Sequence, residues 1–324
     1  MSKMKWRKYS QFIGLAILAI ILYYVDLEEV WRQLKLSDPI LIGAAIILIL
    51  PQVGLRAFRW QTMLARQGIH CPFRFALSFY FAGIYIGLIT PGRLGEVAKA
   101  YFLKQRGLAS LSEALPSIFA DRCLDLYCLL IFAVTSLYPM KLGVNSAVVG
   151  SIFCITVAVV PWFVIYFWRT SHVSSMVRES ISARLTTKWA DAFETFSKVT
   201  GRLISIDIAF MLLLTVMSYG IYFFQTYLIG RSVGLDLGFS TIAMVVSVAI
   251  LIGFIPITIA GFGTREAVFI FLFGRFEISS ASALSFAFLY NLVYIICVGI
   301  ISVIFWMRLN HRKELVIAKS KDLD

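Results

Sequence analysis

Four arginines stand apart from the other basic residues of this sequence. Arg56, Arg93, Arg122 and Arg265 fall in or at the ends of long apolar runs, with Glu96, Asp121, Asp125 and Glu266 close by along the chain. A charged side chain at the centre of a membrane helix costs at least about 2.5–3.5 kcal/mol. Several together imply that they pair, line a wet cavity or bind something charged. Two segments carry the strongest chemistry, ITPGRLGEVAKAYFL (89–103) and ITIAGFGTREAVFIFL (257–272). Each has Ile-Thr, a break containing two glycines, and an Arg–Glu set. Pro91 limits continuation of a helix. Gly92, Gly95, Gly261 and Gly263 permit tight turns and close approach of a ligand. A half-helix starting after such a break presents free N–H groups and a positive dipole end to an anion. Arg93 and Arg265 add forked donors that suit phosphate. The functional reading is a lipid headgroup site made of Arg93, Arg265 and the four glycines. The plainer reading is that Glu96 and Glu266 neutralise these arginines and stiffen the turns, although consecutive residues such as Arg265 and Glu266 do not face each other on a helix.

In FADRCLDLYCLL (119–130), Asp121 and Asp125 lie four apart on one helical face, and Arg122 is three before Asp125, close enough to pair. This face opposes the first turn and balances Arg93, or carries protons for coupling, or is an interfacial ion pair at the cytoplasmic start of a span. In GLRAFRWQTML (54–64), Arg56, Arg59 and Trp60 flank the end of a run. They read as a snorkelling and aromatic anchor, or as a guide for headgroups at the cytoplasmic mouth.

The elements that must position these residues are membrane helices. The chain is 60% hydrophobic and only 15% charged, against about 45–50% and 25% in water-soluble domains. Apolar runs lie at about 9–25, 40–58, 75–90, 119–138, 148–168, 207–230, 240–260 and 280–307. The first resembles a signal peptide, but DLEEVWRQ follows it in place of a small-residue cleavage site, so it reads as an uncleaved span. Between 169 and 206, Met176, Val177, Ile181, Leu185, Trp189, Phe193 and Phe196 recur at helical spacing and predict an interfacial amphipathic helix. LEEVWRQL (27–34) predicts a shorter one.

Lys and Arg counts set the orientation. If runs 75–90 and 240–260 enter and return without crossing, one face carries 21 basic residues and the other 5. If all eight runs cross, the split is 14 to 12 and the bias vanishes. The first arrangement predicts an all-α polytopic membrane bundle of about six full spans plus two re-entrant hairpins. Both termini are then cytoplasmic, and the membrane is the plasma (inner) membrane. Half one (about 1–140) and half two (about 141–310) form an inverted-topology repeat within a single domain, an architecture common among transporters. The net charge of +12 is accounted for by a cytoplasmic face near anionic lipid, without a nucleic-acid partner.

Other chemistries lack their signatures. The five cysteines form no CxxC pair, His70, His172 and His311 are scattered, and GFGTRE has no third glycine. No metal site, cofactor, P-loop or hydrolase motif is predicted.

LRAFRW, ITPGRLGEVAKAYFL, DRCLDL and IPITIAGFGTREA occur in this order. Together they resemble the flippase-like membrane domain of lysylphosphatidylglycerol synthases, over about residues 10–310. The resemblance implies a protein, not itself an enzyme, that moves a phosphate-headgroup lipid between leaflets. In the bifunctional members a soluble aminoacyl-transferase domain follows; this sequence is expected to be a stand-alone member without it, and its lipid to differ, with polyprenyl-phosphate-linked and other envelope lipids as candidates. A lipid-synthesising enzyme is the candidate protein partner, and the oligomeric state stays open. The rival readings are an integral membrane enzyme of lipid synthesis, an accessory scaffold and a small-anion carrier.

Overall fold

A computed structural model describes residues 16–90, 95–136, 148, 208–254, 258 and 261–307. Regular structure among these residues is helical throughout. Residues 16–24 form α1, followed by α2 (Leu27–Leu36), α3 (Pro39–Ile47), α4 (Ile49–Arg66), α5 (Phe73–Ile89), α6 (Ala98–Gln105) and α7 (Leu111–Ser136). The second set is α8 (Ile208–Ser232), α9 (Phe239–Phe254), α10 (Thr264–Gly274) and α11 (Ser280–Asn291). α11 runs on through a π-helical turn, Leu292–Cys297, into residues 298–307.

Local sequence explains the helix starts. Asp26 accepts hydrogen bonds from the Glu28 and Glu29 N–H groups at 3.0 and 3.1 Å. Asp38 caps α3 in the same way through Ile40 at 2.8 Å, with Pro39 at the first helical position. Ser110 and Glu113 form a reciprocal box before α7. α2 bears out the short amphipathic helix expected at 27–34. The helix expected at 169–206, the run 148–168 and both termini lie outside the described residues.

Length and composition make this an integral, multi-pass membrane protein. The stretches Pro39–Arg66, Ile208–Ser232 and Ser280–Met307 hold 28, 25 and 28 residues and are apolar enough to span. α7 has 26 residues, but its charges lower its hydropathy. The polarity of the molecule is inverted relative to a soluble protein. Ile40 and Ile47 are 77% and 72% exposed, whereas Arg59, Lys99, Asp121 and Glu266 are 0% exposed. An apolar exterior of this kind suits lipid, and the ions are withdrawn inside.

α5 and α9 are shorter, with 17 and 16 residues. Each ends at one of the breaks expected from sequence, and the chain returns to pack α6 on α5 and α10 on α9. The two sets pack alike. α4 touches α5 and α7, as α8 touches α9 and α11; α6 lies on α7 as α10 lies on α11. The sets join through α4 against α8 and α7 against α9. On the other side, Phe81 of α5 stacks on Phe305 at 4.6 Å.

Two boundaries differ from the sequence reading. α4 continues to Arg66, so Arg59 and Trp60 lie within a helix and not at its end. α6 starts at Ala98, so Lys99 belongs to a packed helix and not to a polar loop.

Candidate functional site

The first break exists because two backbones come very close. A Cβ on Gly95 would lie 2.4 Å from the Ile86 carbonyl carbon and oxygen, so glycine alone lets the return limb lie against α5. The Gly95 N–H donates to the Thr90 hydroxyl at 2.8 Å. Gly95 thus closes the turn, and its N–H is occupied by protein and does not face a ligand. Gly92 and Arg93 lie outside the described residues. Glu96 and Lys99 follow on the limb three apart, and both face α7.

α7 supplies Asp121, Arg122 and Asp125, one helical turn of charge, and α4 supplies Arg59. Arg59 Nη2 lies 2.6 Å from Asp121 Oδ1 and 2.7 Å from Asp125 Oδ1, and Nη1 donates to Thr215 Oγ1 of α8 at 2.6 Å. Lys99 Nζ reaches Asp121 Oδ2 at 3.1 Å and sits 4.1 Å from the Tyr80 ring centre and 5.1 Å from that of Trp60. Gly83 makes room for it, since a Cβ there would lie 2.9 Å from Lys99 Cγ. Arg122 pairs with Glu96 at 2.7 Å and Asp125 at 2.9 Å, its Nη2 donates to the Tyr80 hydroxyl, and that hydroxyl donates to Asp121.

The spacing argument for Asp121, Arg122 and Asp125 therefore holds geometrically. The anchor reading of Arg59 and Trp60 does not. Both side chains are fully buried, and the Trp60 indole N–H donates to Ser117 at 3.0 Å. The carboxylates of α7 draw Arg59 inward, where pairing and hydrogen bonds offset its desolvation. The same carboxylates are engaged by Arg122, as its spacing predicted, and also by Arg59 and Lys99, which the sequence reading had not placed among the intramembrane charges.

The second break is built differently. Gly261 and Gly263 have φ of +78° and +80°, which is costly for residues with a Cβ. The Gly263 N–H donates to the Glu266 carboxylate, which caps α10 from within its first turn. The anion at this helix start is therefore the protein's own. Arg265 donates to Asn291 Oδ1, its guanidinium lies 4.7 Å from the Tyr290 ring centre, and Asn291 Nδ2 donates to Glu266 at 2.6 Å. Arg265 and Glu266 are 4.0 Å apart, and Asn291 bridges them. Arg265 thus braces the break against α11.

Between the two sets lies a partly open cavity, with about 760 Å3 of atom-free space when the part open to the outside is counted. Gln52 and Arg56 of α4, Tyr80 of α5 and Glu96 line one part of it, with Arg122 and Asp125 of α7. Tyr219 and Tyr222 of α8 and Tyr290 and Tyr294 of α11 line the other. The last two residues flank Asn291 and the start of the π turn, a feature frequent at functional sites. Tyr222 and Tyr290 share a hydrogen bond of 2.6 Å, and the Tyr294 hydroxyl donates to Gln225 at 3.1 Å. Arg265 is not among the lining residues; its guanidinium lies over the ring of Tyr290, which is.

Lys99, Tyr80, Gln52, Asn291 and the four tyrosines escaped the sequence reading. The tyrosines had a signal, three apart at 219 and 222 and four apart at 290 and 294 within apolar runs. Lys99 had one too, three residues after Glu96.

A family model described as the lysylphosphatidylglycerol synthase TM region matches residues 11–302. A UPF0104 membrane protein of Pyrococcus horikoshii is 24% identical over 305 residues, covering 87% of this chain and 90% of its own. Another, of Methanothermobacter thermautotrophicus, is 24% identical over 296 residues, 82% of this chain and 85% of its own. A shorter match joins 34% of this chain to 18% of the glycosyltransferase AglD of Haloferax volcanii, 29% identical over 113 residues.

Proposed function

Because the chain belongs to the lysylphosphatidylglycerol synthase TM region family, we propose that it moves an anionic or phosphate-headgroup lipid between the leaflets of the membrane. The observation that carries this reading is the cavity, with charged and tyrosine side chains among apolar ones, lying between two helix–break–helix units of a bundle whose exterior is apolar. The headgroup enters between the sets and the tails stay in the bilayer. Rocking of one set against the other changes the open side. The protein acts as a carrier and not as an enzyme, in the plasma membrane, with both termini cytoplasmic and α5–α6 and α9–α10 as re-entrant hairpins. Glu96, Asp121 and Asp125 are its candidate coupling carboxylates. A lipid-linked sugar or polyprenyl-phosphate precursor is the favoured cargo class. Support for it is the match to part of a protein named as a glycosyltransferase.

The test is the purified protein in liposomes with a fluorescent phospholipid or prenyl phosphate in one leaflet. Faster equilibration than in protein-free liposomes is expected. Equal rates for every lipid tried would remove the proposal.

A further inference from the structure

Among the described residues, one cation at the cavity has no direct ion pair. Four basic side chains lie at or next to it, Arg56, Arg59, Lys99 and Arg122, against three carboxylates, Glu96, Asp121 and Asp125. Arg59, Lys99 and Arg122 each lie within 4 Å of at least one carboxylate. Arg56 has no ion pair or hydrogen bond among the described residues. Its one contact of this kind is the face of Tyr219, 4.7 Å from guanidinium carbon to ring centre, and its Nε is a buried donor without an acceptor. Asp125 lines the same cavity and acts on Arg56 through space, but no carboxylate of the described residues lies within ion-pair distance of it, so its donors stay open to an incoming anion.

Its neighbours are as open. Gln52 lies four residues earlier on α4, so it shares the face that Arg56 presents to the cavity. Gln52 is 5% exposed and its amide makes no hydrogen bond among the described residues. The Tyr219 hydroxyl, across the seam on α8, makes none either. Three donor-bearing groups with no protein acceptor thus converge on one wall. They come from the two helices that join the halves.

We propose that Gln52, Arg56 and Tyr219 are the anion-binding wall of the cavity, with Arg56 taking a phosphate oxygen of the cargo headgroup. Tyr219 holds the guanidinium from the opposite half, and Gln52 donates its amide to the same anion. The source of the phosphate as a lipid rests on the proposed lipid transport; the wall itself does not.

The test titrates purified full-length protein in neutral detergent, following intrinsic fluorescence. The probes are dihexanoyl phosphatidylglycerol, dihexanoyl phosphatidylcholine, glycerol 3-phosphate and inorganic phosphate. The anionic lipid is expected to bind. Arg56→Gln should weaken it about ten- to a hundredfold, the range for a lost charged hydrogen bond. Arg56→Lys keeps the charge without the fork and should fall between. Gln52→Ala and Tyr219→Leu should each weaken binding, which covers the case in which an Arg56 variant fails to fold. Unchanged affinity in folded Arg56 variants, or no binding of any probe to the wild type, overturns the assignment. Equal, Arg56-dependent binding of free phosphate and of lipid upholds the wall and counts against a lipid cargo. Translocation in liposomes that survives Arg56→Gln unchanged counts against the wall alone.

Discussion

Arg59 and Asp121, 62 residues apart in sequence, meet at 2.6 Å with both side chains fully buried. Their pairing ties α4 to α7, and Thr215 extends it to α8. Pairs of this kind add little net stability when intact, but breaking one strands a buried charge, at about 3–5 kcal/mol. Asp121→Ala removes a partner of Arg59 and Lys99 together, so it is expected to lower thermal stability severely. Arg59→Met combined with Asp121→Ala should be milder than the sum of the two, because fewer ions are left unpaired. Melting of the single and double variants in detergent checks this. Additivity within about 0.5 kcal/mol, the behaviour of independent sites, would mean that the pair does not act as a unit.

Gly95 and Gly83 lie on facing surfaces of the first break, yet they should respond differently to alanine. At Gly95 the new methyl meets the Ile86 backbone at 2.4 Å, and backbone cannot yield without moving α5. At Gly83 it meets Lys99 Cγ at 2.9 Å, part of a long flexible side chain. Gly95→Ala is therefore expected to abolish the folded protein, seen as loss of the monodisperse peak on gel filtration. Gly83→Ala should fold with a lowered melting temperature. If Gly95→Ala melts like the wild type, the close approach of the return limb is wrong.

Among the described residues, Asn291 is the side chain that bridges Arg265 and Glu266. Asn291→Leu leaves both ions without that hydrogen-bond partner and should destabilise by several kcal/mol. Asn291→Asp keeps an acceptor for Arg265 but sets a carboxylate against Glu266. Adding Glu266→Gln to Asn291→Asp should restore part of the loss by removing the repulsion. Absence of any rescue in the melting temperature would count against the bridge.

The sequence disclosed some layers of this molecule more clearly than others. Helix content, the two glycine breaks and the α7 charge triplet were legible because each rests on local spacing. What escaped it depended on contacts over long separations. Arg59 looked like an anchor because an apolar run appeared to end there. Only the carboxylates 62 and 66 residues later show why it is buried. Lys99 fell among the basic residues counted toward one face, because its partner Asp121 lies 22 residues further on. Arg265 was legible as an intramembrane charge, but its partner, Asn291, is uncharged and 26 residues away. The capping of Gly263 by Glu266 was within local reach, three residues apart. It was overlooked in favour of an external anion.

The re-entrant arrangement makes the sharpest geometric prediction. α5, with 17 residues, is about 25 Å long, shorter than a hydrocarbon core of about 30 Å. α9 is one residue shorter. If the α5–α6 unit enters and returns, its two outer ends lie on one face. Single cysteines at exposed Arg74 and Lys104, in a chain whose five native cysteines are replaced, should then both react only from the cytoplasm. Cysteines at exposed Asp236 and Arg275, the two ends of the α9–α10 unit, should both react only from the opposite side. With the buried Arg59 and Lys99 taken out of the count, 19 basic residues against 5 still predict which side is which. Labelling of Arg74 and Lys104 from opposite faces would make α5 a full crossing, and the inverted repeat would lose its symmetry. Labelling of each pair from one face, but with the faces exchanged, would keep the hairpins and reverse the orientation.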